Sequence, residues 1–386
     1  MALTHHLKDK QSPVRQFLEK SAPRLVLAGT PGFLGREVAE EFHFHHLTGH
    51  GLAIPIPGGI EDKRTHAGPV GMAFDYRVRM MLGGSAVDGT TAQIGLQLFQ
   101  KSTKGIRYGR RMAQVLADAL ELAAQRAEGG TEEDRDRLAV VLAWCESFYR
   151  GGVHMVIRGS LGKQLRNADS PVALLDSIDP LILLDLAALR RNSKSQIERW
   201  SAAVKEGSRL ELNPDFDGSG AVGGADADWL IGDTLIDCKS TEQLGNAWIR
   251  KTLFQLVGYT LLDFEDNLKI RQLGIWLPRR QAFQIWNLDE ILGAPAERAL
   301  PELRSSFEAM LRAWHAQMAE ERRLRREAWE RWREAMEVQW AAKEAAEALK
   351  AEERKVRRRE ADRKRREAKK VAALLAPSSA TSVPQL

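Results

Sequence analysis

Cysteine is nearly absent: Cys145 and Cys238 are the only two in 386 residues. Two thiols cannot build a disulfide framework or close a four-cysteine metal site. Apolar runs of membrane-spanning length are missing too, since LLDSIDPLILLDLAALR (174–190) is broken by acids and a proline. The opening residues, MALTHHLKDKQSPVRQ, have no apolar core region of the kind a secretory leader carries. The expectation is a soluble, cytoplasmic protein with no membrane partner. A hydrophobic content of 44% over this length suits one sizeable globular core with appendages.

Proline and glycine disappear between Pro301 and Lys370, where Ala, Glu, Arg and Lys dominate. That composition predicts a long charged helix or coiled coil over 301–370. Leu303, Phe307, Leu311, Trp314 and Met318 repeat every three or four residues, so its first stretch is expected to pack on the body. Trp329, Trp332, Met336 and Trp340 continue a broader stripe, a candidate seam for self-association. Residues 350–370 hold 12 Lys/Arg against 5 Asp/Glu while the whole chain is only +5, so this segment supplies the basic character. It reads either as a solvated helix or as an arm making salt-sensitive phosphate contacts. The last stretch, within 371–386, reads as a disordered tail.

Chemistry concentrates in GGADADWLIGDTLIDCKST (223–241). Apolar runs at Trp229–Ile231 and Thr234–Ile236 flank Gly232-Asp233, a pair suited to a two-residue hairpin loop. With that turn, Ile231 faces Thr234, Asp228 faces Asp237 and Asp226 faces Lys239. Side chains alternate along a strand, so Asp226, Asp228, Asp237 and Lys239 share one face. Carboxylates gathered this closely repel one another unless a hard cation such as Mg²⁺ or Mn²⁺ joins them. A solvated hairpin face with a fortuitous ion pair is the competing reading. A one-residue slip in register would carry side chains to the other face.

The next segment, QLGNAWIRKTLFQLVGYTLLDF (243–264), reads as an amphipathic helix placing Lys251, Gln255 and Tyr259 on one stripe. A cation, an amide and a phenol there suit a phosphodiester backbone. The residues IRQLGIWLPRRQAFQIW (270–286) read as two strands around Pro278, Arg279 and Arg280, the two arginines completing the expected nucleic-acid contacts.

These elements, in this order, resemble the PD-(D/E)XK nuclease superfamily and its RecB-like exonuclease branch. Gly223-Gly224-Ala225-Asp226 is similar to that branch's Gly-x-x-Asp element. Asp237-Cys238-Lys239 looks like its (Asp/Glu)-x-Lys strand, and Gln255 with Tyr259 like its Gln-x-x-x-Tyr helix. The resemblance is specific over about 208–290. It implies an α/β fold with a restriction-endonuclease-like core, a mixed central sheet flanked by helices. The implied metal ligands are Asp226, Asp237 and the carbonyl of Cys238, with Asp228 as an alternative or additional ligand. Asp226, Asp237, Lys239, Gln255 and Tyr259 are the implied catalytic set. Upstream, Gly71-Met72-Ala73-Phe74-Asp75 resembles the family's Gly-x-x-x-His element with Asp75 in place of histidine. An N-terminal helix residue is the other reading of Asp75.

The implied organisation is a cap segment (1–65), a first core helix (66–82), a helical insertion (83–207) and the nuclease core (208–300). The long helix and tail follow. The implied activity is Mg²⁺- or Mn²⁺-dependent hydrolysis of DNA phosphodiester bonds, exonuclease-like. No residue here separates DNA from RNA. Some members of the branch hold an iron–sulfur cluster on four cysteines, which two cysteines exclude here. A helicase or a recombination or defence protein is the implied partner. The competing class is a catalytically inactive nucleic-acid-binding or assembly protein built on the same core.

Two further motifs compete for attention. RLVLAGTPGFLGREV (24–38) spaces Gly29, Gly32 and Gly35 like a dinucleotide fingerprint, but 39–67 lacks the second βαβ strand with a terminal acid. His43, His45, His46 and His50 offer transition-metal ligands with no cysteine or carboxylate spaced to complete a zinc site, so a histidine patch is expected.

Overall fold

The computed structural model describes residues 2–28, 30–84 and 90–374. Its helices run in chain order as α1 (Leu3–His6), α2 (Pro13–Ser21), α3 (Pro23–Ala28), α4 (Phe33–Glu41), α5 (His45–Thr48) and α6 (Ile60–Met81). There follow α7 (Thr91–Lys101), α8 (Gly109–Ala127), α9 (Glu132–Gly151), α10 (Val153–Val156), α11 (Ser160–Asn167), α12 (Pro171–Asp176) and α13 (Pro180–Lys205). Strands β1 (Leu210–Leu212), β2 (Trp229–Ile231) and β3 (Thr234–Cys238) precede α14 (Asn246–Leu262). Strands β4 (Gln272–Leu277) and β5 (Ala282–Asn287), then α15 (Leu288–Leu292) and α16 (Ala296–Leu374), complete the chain.

The sheet order is β1-β2-β3-β4-β5, with β3 and β4 parallel and every other neighbouring pair antiparallel. The parallel pair needs a crossover, and α14 provides it. The β2–β3 turn is the expected one: Ile231 pairs with Thr234, and Gly232 has φ 62°. Positive φ at the first of the two loop residues is what a type II′ turn demands, and glycine meets it without strain.

Alternation divides the sheet between two cores. Trp229, Ile231, Ile236 and Trp276 join α6, α8, α9 and α13 on one side. Leu230, Leu235, Leu273, Ile275 and Leu277 join α14 and the N-terminal helices on the other. On the first side Trp200 of α13 meets Trp229, Trp276 and Phe283 edge-on, with ring centroids 4.9 to 5.9 Å apart. Such edge-to-face contacts add to the area these rings bury. The helical segment 83–207 therefore does more than decorate the core, because its last helix covers the sheet. Within the segment, Asp179 caps α13 ahead of Pro180, and Thr131 with Asp134 forms a capping box on α9.

The described residues of 1–65 contribute to the second core. Leu3, Val14, Leu18 and Leu25 are fully buried in the second core. Gly258 of α14 lets them approach: a Cβ there would lie 2.9 Å from Leu3 Cδ2. Among the described residues of 24–38 there are α3 and α4 and no strand, unlike a dinucleotide site. Gly29 lies outside the described residues.

The chain divides into two units, 1–314 and 315–386. In the first, Phe307 and Leu311 of α16 are buried and Leu303 and Trp314 pack partly buried beside them, as their spacing predicts. In the second, the helix continues to Leu374, so 371–374 are helical rather than disordered; residues 375–386 lie outside the described residues. Trp329, Trp332 and Trp340 are exposed there, the first two stacked at 4.8 Å.

Candidate active site

Strand β3 ends where α6, α9, α14 and the turn before β2 converge on a cavity of about 320 Å³. Its charged lining is Asp75, Glu146, Arg150, Asp226, Asp228, Asp237 and Lys239, and Gln255 and Tyr259 line it too. These residues come from five separate parts of the sequence.

The two strands pair in the expected register, but the ladder ends before it reaches the acids. The ladder pairs Trp229 with Ile236 and then stops. Asp228 Oδ2 takes the Cys238 amide at 2.6 Å, a bond that replaces the next ladder rung. Lys239 N turns instead to the Trp276 carbonyl on β4. Asp226 therefore does not face Lys239; its backbone bridges Asp215, and its carboxylate meets Arg150 at 2.8 Å. Asp237 is 2% exposed and its Oδ1 accepts from Lys239 Nζ at 2.6 Å. Cys238 lines the cavity beside it.

Asp75 sits well inside α6, so its reading as an N-terminal helix residue fails. Arg79, one turn on, donates to its Oδ2. Gln255 Nε2 donates to the Tyr259 hydroxyl at 2.7 Å, and the Tyr259 ring stacks on Phe216.

Burial sets the electrostatics. It lifts the Asp75 carboxyl to about 7, with Arg79 opposing and the Asp228 charge assisting. Burial likewise lifts Asp237 to about 6, against the pull of Lys239. At Lys239 burial opposes the ammonium, yet Asp237 and Asp228 outweigh it and the net shift is upward. Burial also raises the Tyr259 phenol, keeping it protonated.

Two carboxylate oxygens, Asp75 Oδ1 and Asp237 Oδ2, are buried with no hydrogen-bond partner. Leaving a buried acceptor unmet costs about 1–3 kcal/mol. A donor set made of carboxylates with unmet oxygens fits a hard, oxygen-seeking divalent cation. Three of the carboxylates are each paired to a cation: Asp75 to Arg79, Asp226 to Arg150 and Asp237 to Lys239. Among the described residues, the ligand atoms of His43, His45 and His46 come together within 4.8 Å, and no three of the acids do.

Three expected nucleic-acid contacts lie elsewhere. Arg279 is fully buried, paired to both oxygens of Asp185 at 2.7 Å and donating to the Ser240 carbonyl at 2.7 Å. Arg280 donates to the backbone carbonyls of His50 and Glu242 at 2.7 and 2.8 Å. A charged pair in a turn reads as surface, but here both guanidiniums satisfy backbone that approaches from distant sequence. Lys251 is exposed and lines a separate depression with Arg15, Glu19 and Arg250.

Sequence reasoning misses Glu146 and Arg150. Glu146 is 3% exposed; its carboxylate accepts from the Tyr76 hydroxyl at 2.6 Å and from Arg150. One turn apart on α9, they read as an ordinary helical ion pair, and no local signal marks them. Ala2 and Thr4 also line the cavity, brought there by the bond from Leu3 N to the Gly224 carbonyl at 3.1 Å.

No family model, curated protein or solved structure matches the chain. Among the described residues no helix is long and apolar enough to cross a membrane.

Proposed function

We propose that the chain is a metal-dependent nuclease of the PD-(D/E)XK type, hydrolysing phosphodiester bonds of DNA. The observation that carries this reading is the single cavity shared by Asp75, Asp226, Asp228, Asp237, Lys239, Gln255 and Tyr259. Two buried carboxylate oxygens there have no partner.

Asp75, Asp226, Asp228, Asp237 and the Cys238 carbonyl would hold one or two Mg²⁺ or Mn²⁺ ions. Such an ion, when bound, supplies a water acidic enough to ionise near neutrality and offsets charge on the phosphate. Lys239, kept as an ammonium by Asp237 and Asp228, orients the attacking water or stabilises negative charge growing on the phosphate. Gln255 and Tyr259 hold the substrate strand through hydrogen bonds to its backbone. Arg150, half-exposed at the rim, turns from Asp226 toward a phosphate oxygen. The basic helix 350–370 adds sequence-independent attraction for the substrate. An exonuclease acting beside a helicase, a recombination or a defence protein is the setting the resemblance implies.

A second reading, an inactive nucleic-acid-binding protein on the same core, is favoured by one observation: no three acids of the cavity converge within 4.8 Å. Incubating end-labelled single- and double-stranded DNA, linear and circular, with Mg²⁺ or Mn²⁺ separates the two. Our reading predicts cleavage that Asp237→Ala and Lys239→Ala abolish without unfolding the protein. Native-rate cleavage by either variant refutes the site, and an inert wild type supports the second reading.

A further inference from the structure

We propose that His43, His45 and His46 form a transition-metal site for Zn²⁺ or a cation of similar preference, separate from the acidic cavity. One ring nitrogen from each lies within 4.8 Å of the others. The ring centroids are 4.3 to 5.8 Å apart.

The fold builds this convergence. Phe42, Phe44 and Leu47 are buried, which turns the intervening histidines outward. Phe42 is fixed through its carbonyl, which accepts from Trp286 Nε1 at 2.6 Å, and the Phe44 ring packs edge-on against Trp286. His43 adopts φ 54°, uncommon for a residue with a side chain, and this bend swings its ring beside those of α5. The strained backbone is thus held by packing on β5.

A hydrogen-bond relay sets the tautomer of His46. Gln284 Nε2 donates to the Ile285 carbonyl at 2.8 Å, which leaves its Oε1 to face His46 Nδ1 at 2.8 Å. An oxygen there can only accept, so Nδ1 carries the proton and Nε2 keeps a bare lone pair. This is the outer arrangement that orients metal-binding imidazoles. Three imidazoles with a fourth, solvent-facing position suit tetrahedral Zn²⁺, and nitrogen ligands separate this site in preference from the all-oxygen cavity. Bound there, the ion would staple α5 and its approach to the edge strand β5.

The test uses full-length chain without an affinity tag, titrated with Co²⁺ and followed by visible absorption. One equivalent should give the intense band of tetrahedral cobalt, and Zn²⁺ should displace it. His45→Ala and His46→Ala should lose the band, Gln284→Ala should weaken Zn²⁺ binding by about tenfold, and Asp237→Ala should keep the band intact. All three histidines are exposed, so their removal spares the core. A wild type without the band, a band retained by His46→Ala, or one lost in Asp237→Ala would overturn the assignment.

Discussion

At the scale of single residues, burying the cavity's acids makes stability depend on pH. Asp237 titrates at about 6 in the folded chain against an ordinary 3.8, and Asp75 at about 7. Between those limits the folded state keeps protons that the unfolded chain has released. Stability therefore falls as pH rises from about 4 to 7, the reverse of a carboxylate whose pKa is depressed. Urea midpoints in EDTA should be lower at pH 8 than at pH 5 through these groups, and Asp237→Asn should flatten the difference. An unchanged slope in the variant would show that Asp237 is not buried as described. Arg150 makes a second prediction, because it neutralises Asp226 and faces the cavity. Arg150→Ala should bind Mn²⁺ several-fold more tightly by calorimetry while cleaving DNA about a hundredfold more slowly. A structural role would move both quantities together or neither.

Among elements, the parts legible in sequence are those whose partners lie close along the chain. Asp226, Asp228, Asp237 and Lys239 fall within one hairpin, and Gln255 and Tyr259 within one helix turn, so spacing alone brings them together. Spacing misjudges the end of the ladder, because the Asp228 side chain rather than a backbone carbonyl takes the Cys238 amide. Glu146 and Arg150 need α9 to pack against α6, and Asp185 needs α13 to pass under the turn after β4. Neither relation leaves a local trace. Arg279 misleads for the same reason, since its partner lies 94 residues upstream. Removing one member of such a buried pair costs about 3–5 kcal/mol. Asp185→Ala should accordingly lower the unfolding free energy by that amount, with Mn²⁺ affinity intact while the protein is folded. A drop below about 1 kcal/mol would contradict the buried pairing. Trp276→Ala, which opens the tryptophan cluster between α13 and the sheet, should cost about 3–5 kcal/mol in the same assay.

For the whole molecule, two cores and a charged helix assign different tasks to different regions. The sheet with its two helical layers holds the cavity, and in the function we propose the basic segment of α16 adds long-range attraction for nucleic acid. Exchanging Arg357, Arg358 and Arg359 for glutamine should reduce the salt dependence of DNA binding. The slope of log affinity against log salt should shrink by about 2 to 3, roughly 0.7–0.9 for each phosphate that is no longer neutralised. An unchanged slope would mark 350–370 as a solvated helix. Self-association would use the exposed Trp329, Trp332 and Trp340, and sedimentation of the full chain with these changed to glutamine reads it directly.

The most direct measurement is a calorimetric titration of the full chain with Mn²⁺ at pH 8, in wild type and Asp237→Asn. The account predicts saturable binding of one or two ions in the wild type and at least tenfold weaker binding in the variant. Equal binding by the two proteins, or no binding by the wild type, would contradict it.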